Sequence, residues 1–252
     1  MSGIIINGIL GHMGREVEKA ALQKNSLLAG VDFMASSQSS ASVPVFKSFD
    51  EIPQTILKEA HCIVDFSNHL CTKALVDFAV EKNLALVIAT TGQTEEELKM
   101  ITDASSKVPV FFAANYSLGV AVLIKLAKNV ASVMKDADIE IVETHHNRKL
   151  DAPSGTAKAI AQAVQEVRPN SKIVCGRSGM CKRNPEDIGI SSVRYGNIVG
   201  IHEVHVGTEN ECITLRHEAF SRSVFADGAV AAAEFIEGKG AGMYGMESMI
   251  TL

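Results

Sequence analysis

The stretch HHNRKLDAPSGTAKAI, residues 145–160, gathers two histidines, two cations and an acid ahead of a small-residue turn. Pro153, Ser154, Gly155 and Thr156 read as a helix entrance. Proline tolerates the first turn, serine or threonine caps it, and glycine frees the backbone. Such an entrance offers N–H donors to an anion. His145, His146, Arg148 and Lys149 add donors and positive charge just upstream. The chemistry implied is recognition of a small carboxylate, with a histidine or lysine available to move a proton. A charged turn that is merely solvated is the competing reading. No metal is expected: adjacent strand residues point to opposite faces, and no carboxylate or thiolate completes a set with His202 and His205. Asp151 reads as a turn-stabilising side chain.

A second constellation lies at the start. NGILGHMGRE places Gly8, Gly11 and Gly14 between a β-branched apolar run and an amphipathic stretch. In a strand–turn–helix context, glycines let the backbone approach a pyrophosphate whose charge the helix N-terminus binds. The spacing is GxxGxxG, with Leu10 where the usual fingerprint has its second glycine. Asp32, at the end of the second apolar run, is the candidate for the ribose hydroxyls. A carboxylate there repels a 2′-phosphate, and no Arg or Lys occurs from Phe33 to Ala41. The lean is therefore to NADH over NADPH. DFSN (65–68), ATTG (89–92) and AANYS (113–117) fall at further strand ends, where open α/β sheets bind ligands.

These residues need elements to hold them. Apolar runs at 3–8, 26–33, 61–68, 84–92 and 108–117 predict strands, alternating with helices at 11–25, 70–82 and 94–106. Thr94 and Glu97 form a capping-box pattern. Residues 36–50 read as a long loop with room for one short strand. Strands joined by helices imply a parallel sheet. After 117 the rhythm changes: a helix at 120–137, a strand at 138–146 and a helix at 155–167. Residues 171–217 read as strand-rich, with 192–217 as consecutive antiparallel strands joined by turns at 195–197 and 208–210, before a last helix at 225–238. The pattern is a dinucleotide-type α/β domain followed by an α+β domain with an open sheet.

The 252 residues suffice for two modest domains; 46% are hydrophobic and 21% charged. A net charge of −5 without a long basic run argues against nucleic acid, and no apolar run is long enough to span a membrane. Five cysteines without a CxxC argue for reduced thiols. The first residues carry no basic leader, so the expected compartment is the cytoplasm.

ETHHNRKLDAPSGTA, with GILGHMGRE, DFSN, ATTG, FFAANYSLGV, NIVGIHEV and SVFADGAV, closely resembles dihydrodipicolinate reductase, also called 4-hydroxy-tetrahydrodipicolinate reductase. The resemblance runs in order along nearly the whole chain. It implies NAD(P)H-dependent reduction of a cyclic dicarboxylate in the diaminopimelate and lysine pathway, by a homotetramer built through the second domain's sheet. By motif, His145 matches the proton donor/acceptor and Lys149 the second proton donor. His146, Gly155 and Thr156 match the substrate carboxylate contacts. Gly8, Ile9, Leu10, Gly11, His12 and Met13 match the pyrophosphate turn. Ala89, Thr90 and Thr91, with Ala113, Ala114, Asn115 and Tyr116, match the nicotinamide-side loops. The family often carries an acid followed by Arg after the second strand, whereas VDFMAS has the acid earlier and no Arg. Ala89 replaces a glycine common in the family. The expected architecture is a Rossmann-like dinucleotide-binding domain (1–117 and 223–252) plus an α+β substrate and tetramerisation domain (118–222) with an open mixed sheet. The alternative from another class is a non-catalytic NAD(P)H-binding regulatory protein on the same scaffold.

Overall fold

The computed structural model describes residues 3–36 and 41–251. Residues 37–40 of the expected long loop, and residues 1, 2 and 252 of the expected first domain, lie outside the described residues. In chain order the elements are β1 (Gly3–Asn7), α1 (His12–Gln23), β2 (Leu27–Val31), β3 (Val45–Phe46), α2 (Gln54–Glu59), β4 (Ala60–Asp65), α3 (Thr72–Lys82), β5 (Ala85–Ile88), α4 (Glu95–Ser105) and β6 (Pro109–Phe112). There follow α5 (Leu118–Val133), β7 (Asp138–His145), α6 (Gly155–Val167), β8 (Lys172–Cys175), β9 (Asp187–Arg194), β10 (Gly200–Gly207), β11 (Cys212–Ala219), α7 (Ser223–Ile236) and β12 (Gly242–Tyr244). The chain divides into two compact units: residues up to Ser117 with Ser223–Thr251, and Leu118–Arg222.

The first unit is a seven-stranded parallel sheet in the order β12-β6-β5-β4-β1-β2-β3. Parallel strands need crossover connections, and helices on the faces bury both sides. That is why Ile4, Ile5 and Ile6 are apolar in succession and all inaccessible. The order reverses at β1, between β4 and β2, the switch point at which such sheets bind ligands. The α4 capping box is present: Thr94 Oγ1 accepts from the Glu97 N–H, and Glu97 accepts from the Thr94 N–H. The periodicity does not reveal α2, because it has no buried residue, nor β12, which is a three-residue edge strand.

The second unit is a mixed five-stranded sheet ordered β11-β10-β7-β9-β8, with α5 and α6 over one face. Here the expectation of consecutive antiparallel strands needs correction. β10 and β11 form an antiparallel pair, but β7 lies between β9 and β10 and pairs parallel with β9. Sequence neighbours therefore flank a strand made earlier in the chain. Helix α5 also ends before the expected 137. The Arg168 guanidinium donates to the carbonyls of Ala131, Met134 and Ala137, satisfying groups the helix would otherwise have carried on to bond. Ile139, Ile141, Ile188, Ile190, Val204 and Val206 pack beneath Leu123, Ala127, Ile160 and Val164.

Candidate active site

In the first unit the glycine turn follows β1. Gly8 has φ +81°, and a Cβ there would lie 2.6 Å from the Phe66 carbonyl oxygen. Glycine is therefore required for both conformation and space. Gly11 caps α1, and its N–H donates to the Gly8 carbonyl. Gly14 presses the helix onto the turn, since a Cβ would lie 2.0 Å from Gly8 O. This is a backbone cradle shaped for a pyrophosphate, and beside it opens a cavity of about 750 Å3. Gly8, Leu10, Gly11 and Asp32 line that cavity, with Phe33, Met34 and Phe66 as apolar lining. The residues present thus fit a dinucleotide.

The other expected contacts divide. Ile9 is wholly buried and its side chain packs on Gly30, so only its backbone faces the turn. His12 and Met13 open α1 and do not line the cavity. Asp32 is buried, and its carboxylate accepts from the N–H groups of Leu10 and Met34, each at 3.0 Å, so it also braces the turn. Thr90 is buried, with Oγ1 accepting from the Ser67 N–H, while Ala89 is half-buried and Thr91 exposed. Ala113 is half-buried and Ala114 exposed. Asn115 accepts from the Ser117 N–H. The Tyr116 side chain is committed to the core: its hydroxyl donates toward the carbonyls of Ile88 and Phe111 at 2.9 and 3.2 Å. Two features were missed from sequence. Asp65 is buried at the end of β4 and accepts from Asn7 Nδ2 and Ser67 Oγ; burial pushes its carboxyl up, against the bonds from Ser67, Thr90 and Asn7. And β3, pairing with β2, brings Lys47 to the cavity that Asp32 lines, as the one cation there among the described residues. A window of local sequence around Asp32 cannot reveal it.

In the second unit, β7 alternates so that Glu143 and His145 share the helix-covered face. Glu143 is inaccessible, and donors from several elements converge on it. His145 Nδ1–H lies at 2.5 Å, Arg194 Nη1 and Nη2 at 2.8 and 2.6 Å, and the Ser154 N–H at 3.1 Å. Burial alone would raise its pKa, but the bonds from His145 and Arg194 win and hold it far below the ordinary carboxylate range. Ser154 is the helix cap, its Oγ accepting from the Ala157 N–H, and Pro153 stands ahead of the cap instead of in the first turn. The same hydroxyl lies 3.0 Å from His202 Nε2. Gly155 and Thr156 form the first turn of α6, and Gly155 is exposed with nothing within 4 Å of where a Cβ would stand. His146 follows the strand, and burial with nearby Arg148 and Arg222 lowers its pKa. Lys149 pairs with Asp151 at 2.7 Å, and Arg148 donates to the Asn197 side chain. Sequence reasoning set His202 aside with the metal reading. It is instead a buried member of this cluster, its ring edge-on to His145 at 5.2 Å. No group of three His, Cys, Asp or Glu side chains among the described residues is arranged to hold a metal.

His202 carries a pH prediction. Burial first, then the charge of His145, lowers its pKa to about 4. Between the free-histidine value near 6.5 and that figure, the unfolded chain binds the extra proton, so stability falls as pH falls. The expected loss from pH 7 to pH 4 is about 2–4 kcal/mol, read as a lower denaturation midpoint of this unit. His202→Gln should flatten that slope; an unchanged slope would remove His202 as its source.

The chain matches the model described as dihydrodipicolinate reductase, N-terminus, over residues 2–116 and the corresponding C-terminus over 119–250. A 4-hydroxy-tetrahydrodipicolinate reductase from Caldanaerobacter subterraneus is 44% identical over 99% of this chain and 98% of its own length. One from Clostridium tetani is 40% identical over 99% and 97%. The solved dipicolinate-bound dihydrodipicolinate reductase from Paenisporosarcina sp. TG-14 superposes with a TM-score of 0.82 at 28% identity, covering 99% of this chain and 100% of that one. Matched in both halves and along its length, the chain belongs to the dihydrodipicolinate reductase family.

Proposed function

We propose that this chain reduces 4-hydroxy-tetrahydrodipicolinate to tetrahydrodipicolinate with NAD(P)H, in diaminopimelate and lysine biosynthesis. The observation that carries the reading is the end of β7, where His145, Lys149 and the Ser154-capped entrance of α6 belong to one cluster. The first unit is the dinucleotide-binding domain. Its Gly8–Met13 turn takes the pyrophosphate, Asp32 the adenosine ribose, and the loops at 89–91 and 113–116 the nicotinamide side. The second unit binds substrate and carries the oligomer contacts. The face of its sheet away from the helices, which includes Val142, Val193 and Ile201, supports a homotetramer. All five cysteines are free, which suits the reducing cytoplasm.

When bound, the reduced nicotinamide supplies a hydride. Loss of water from the substrate leaves an imine conjugated to a carbon–carbon double bond. Addition at ring carbon 4 gives an enamine that needs one proton. Lys149 and His145 stabilise the developing negative charge and deliver that proton. The N–H groups of Gly155 and Thr156, with the His146 ring, hold a substrate carboxylate. A regulatory NAD(P)H binder would need no proton donor. The test is NADH oxidation with freshly condensed pyruvate and aspartate semialdehyde, run beside the semialdehyde alone. Turnover is expected only with the condensed product, and none with either substrate would favour the regulatory reading.

For the dinucleotide, Asp32 supports NADH, while Lys47 offers a counter-charge for the 2′-phosphate of NADPH. Lys47→Ala is expected to raise the KM for NADPH about fivefold, the effect of losing one exposed charge-assisted bond worth about 1 kcal/mol. The KM for NADH should stay where it was. An equal change for both dinucleotides would place Lys47 outside the 2′-phosphate's reach.

A further inference from the structure

Glu143 and Arg194 stand outside every role assigned so far, yet both are built into the cluster. An ionised carboxylate only accepts, so the Glu143–His145 bond fixes the proton on Nδ1 and leaves Nε2 as the working nitrogen. That nitrogen faces Gly200, where a Cβ would come within 3.1 Å of it. The other carboxylate oxygen takes the Ser154 N–H, holding the cap of the helix whose first turn is Gly155 and Thr156. Arg194 grips both oxygens from β9 and also donates to the Asp151 carbonyl, in the loop that carries Lys149. A single buried carboxylate thus touches the proton group and the helix entrance, and its counter-ion touches the loop of the second donor.

We propose that Glu143 is a positioning residue that fixes the His145 tautomer and the α6 entrance together, and that Arg194 holds that carboxylate in place from β9.

The inference rests on the reading of His145 as a proton-transfer group, and the test separates the two. The ring 15N shifts of His145, which report the nitrogen that carries the proton, are read by NMR in the ligand-free protein for Glu143→Gln and Arg194→Lys, and kcat and KM are measured beside them. The starting protein and Arg194→Lys are expected to hold the proton on Nδ1, and Glu143→Gln to lose that preference. Glu143→Gln should lower kcat at least tenfold with the dinucleotide KM unchanged. Because removing one member of a buried pair strands the other, Glu143→Asp, which keeps the charge but shortens the reach to His145 and Ser154, carries the test if Glu143→Gln does not fold, and is expected to lose the Nδ1 preference as well. An Nδ1 proton retained in these Glu143 variants overturns the proposal. A lost Nδ1 preference with undiminished kcat supports the positioning and instead removes His145 from the chemistry.

Discussion

Lys149→Ala is expected to lower kcat about 10²–10⁴-fold, the range that positioned acid–base help supplies, while substrate KM changes much less. Lys149 has the charge and the proton, and the structure gives it a rest position. Its ammonium is paired at 2.7 Å with Asp151, which is itself half open to water. That pair holds the half-buried cation near the His145 end of β7, and the pairing keeps the Asp151 carboxyl below its ordinary range. A partly exposed pair of this kind contributes little to stability, so the variant should melt close to the starting protein. The loss is then one of chemistry, not folding. Undiminished NADH oxidation with the condensed substrate would end the assignment of Lys149. Lys149→Arg, which keeps charge but does not yield a proton, should recover KM without recovering kcat.

Gly14→Ala is the second large effect, and it acts through space. The new Cβ would stand 2.0 Å from Gly8 O and 2.8 Å from Ile9 Cα, both backbone atoms that no rotamer change can move away. Either α1 withdraws from the turn or the turn opens. Overpacking of this kind costs about 1–3 kcal/mol and sometimes more, and here the distortion falls on the pyrophosphate cradle. A lowered melting temperature and a loss of dinucleotide binding by calorimetry are expected together. Gly11→Ala meets only the Gly8 carbonyl, at 3.2 Å, and Gly155→Ala meets nothing, so both should melt nearly as the starting protein does. A Gly14→Ala protein that binds dinucleotide normally would show that the close approach is not needed.

Much of this was legible because periodicity and turn chemistry act locally. The β1–turn–α1 unit, the Thr94–Glu97 box and the alternation of β7 each follow from neighbours in sequence. What escaped depends on pairing across distance. β9 and β10 looked like a hairpin because a turn joins them, but β7 supplies a better-buried partner for each. Lys47 comes to the cavity that Asp32 lines only through the short β3 ladder. Arg194 reaches Glu143 only because β9 lies beside β7, and His202 only because β10 lies on the other side. The motif HHNRKLDAPSGT marks the end of β7, while the residues that contact Glu143 and His145 there came from strands whose order the sequence concealed.

The first unit is discontinuous, with residues 118–222 inserted before its last helix and strand. This sets an order of events during synthesis. The second unit is one unbroken stretch, so all of its strands and helices leave the ribosome before α7 does. The preceding sheet must meanwhile wait for α7, whose Ala229, Ala232, Ala233 and Ile236 are buried in the finished unit, where the helix packs on α1 and on β4, β5 and β6. It also waits for β12 to pair with the edge of β6. Such long-range closure is slow and leaves apolar surface open to association in the meantime. The first unit, whose translation begins first, is therefore the last to become native.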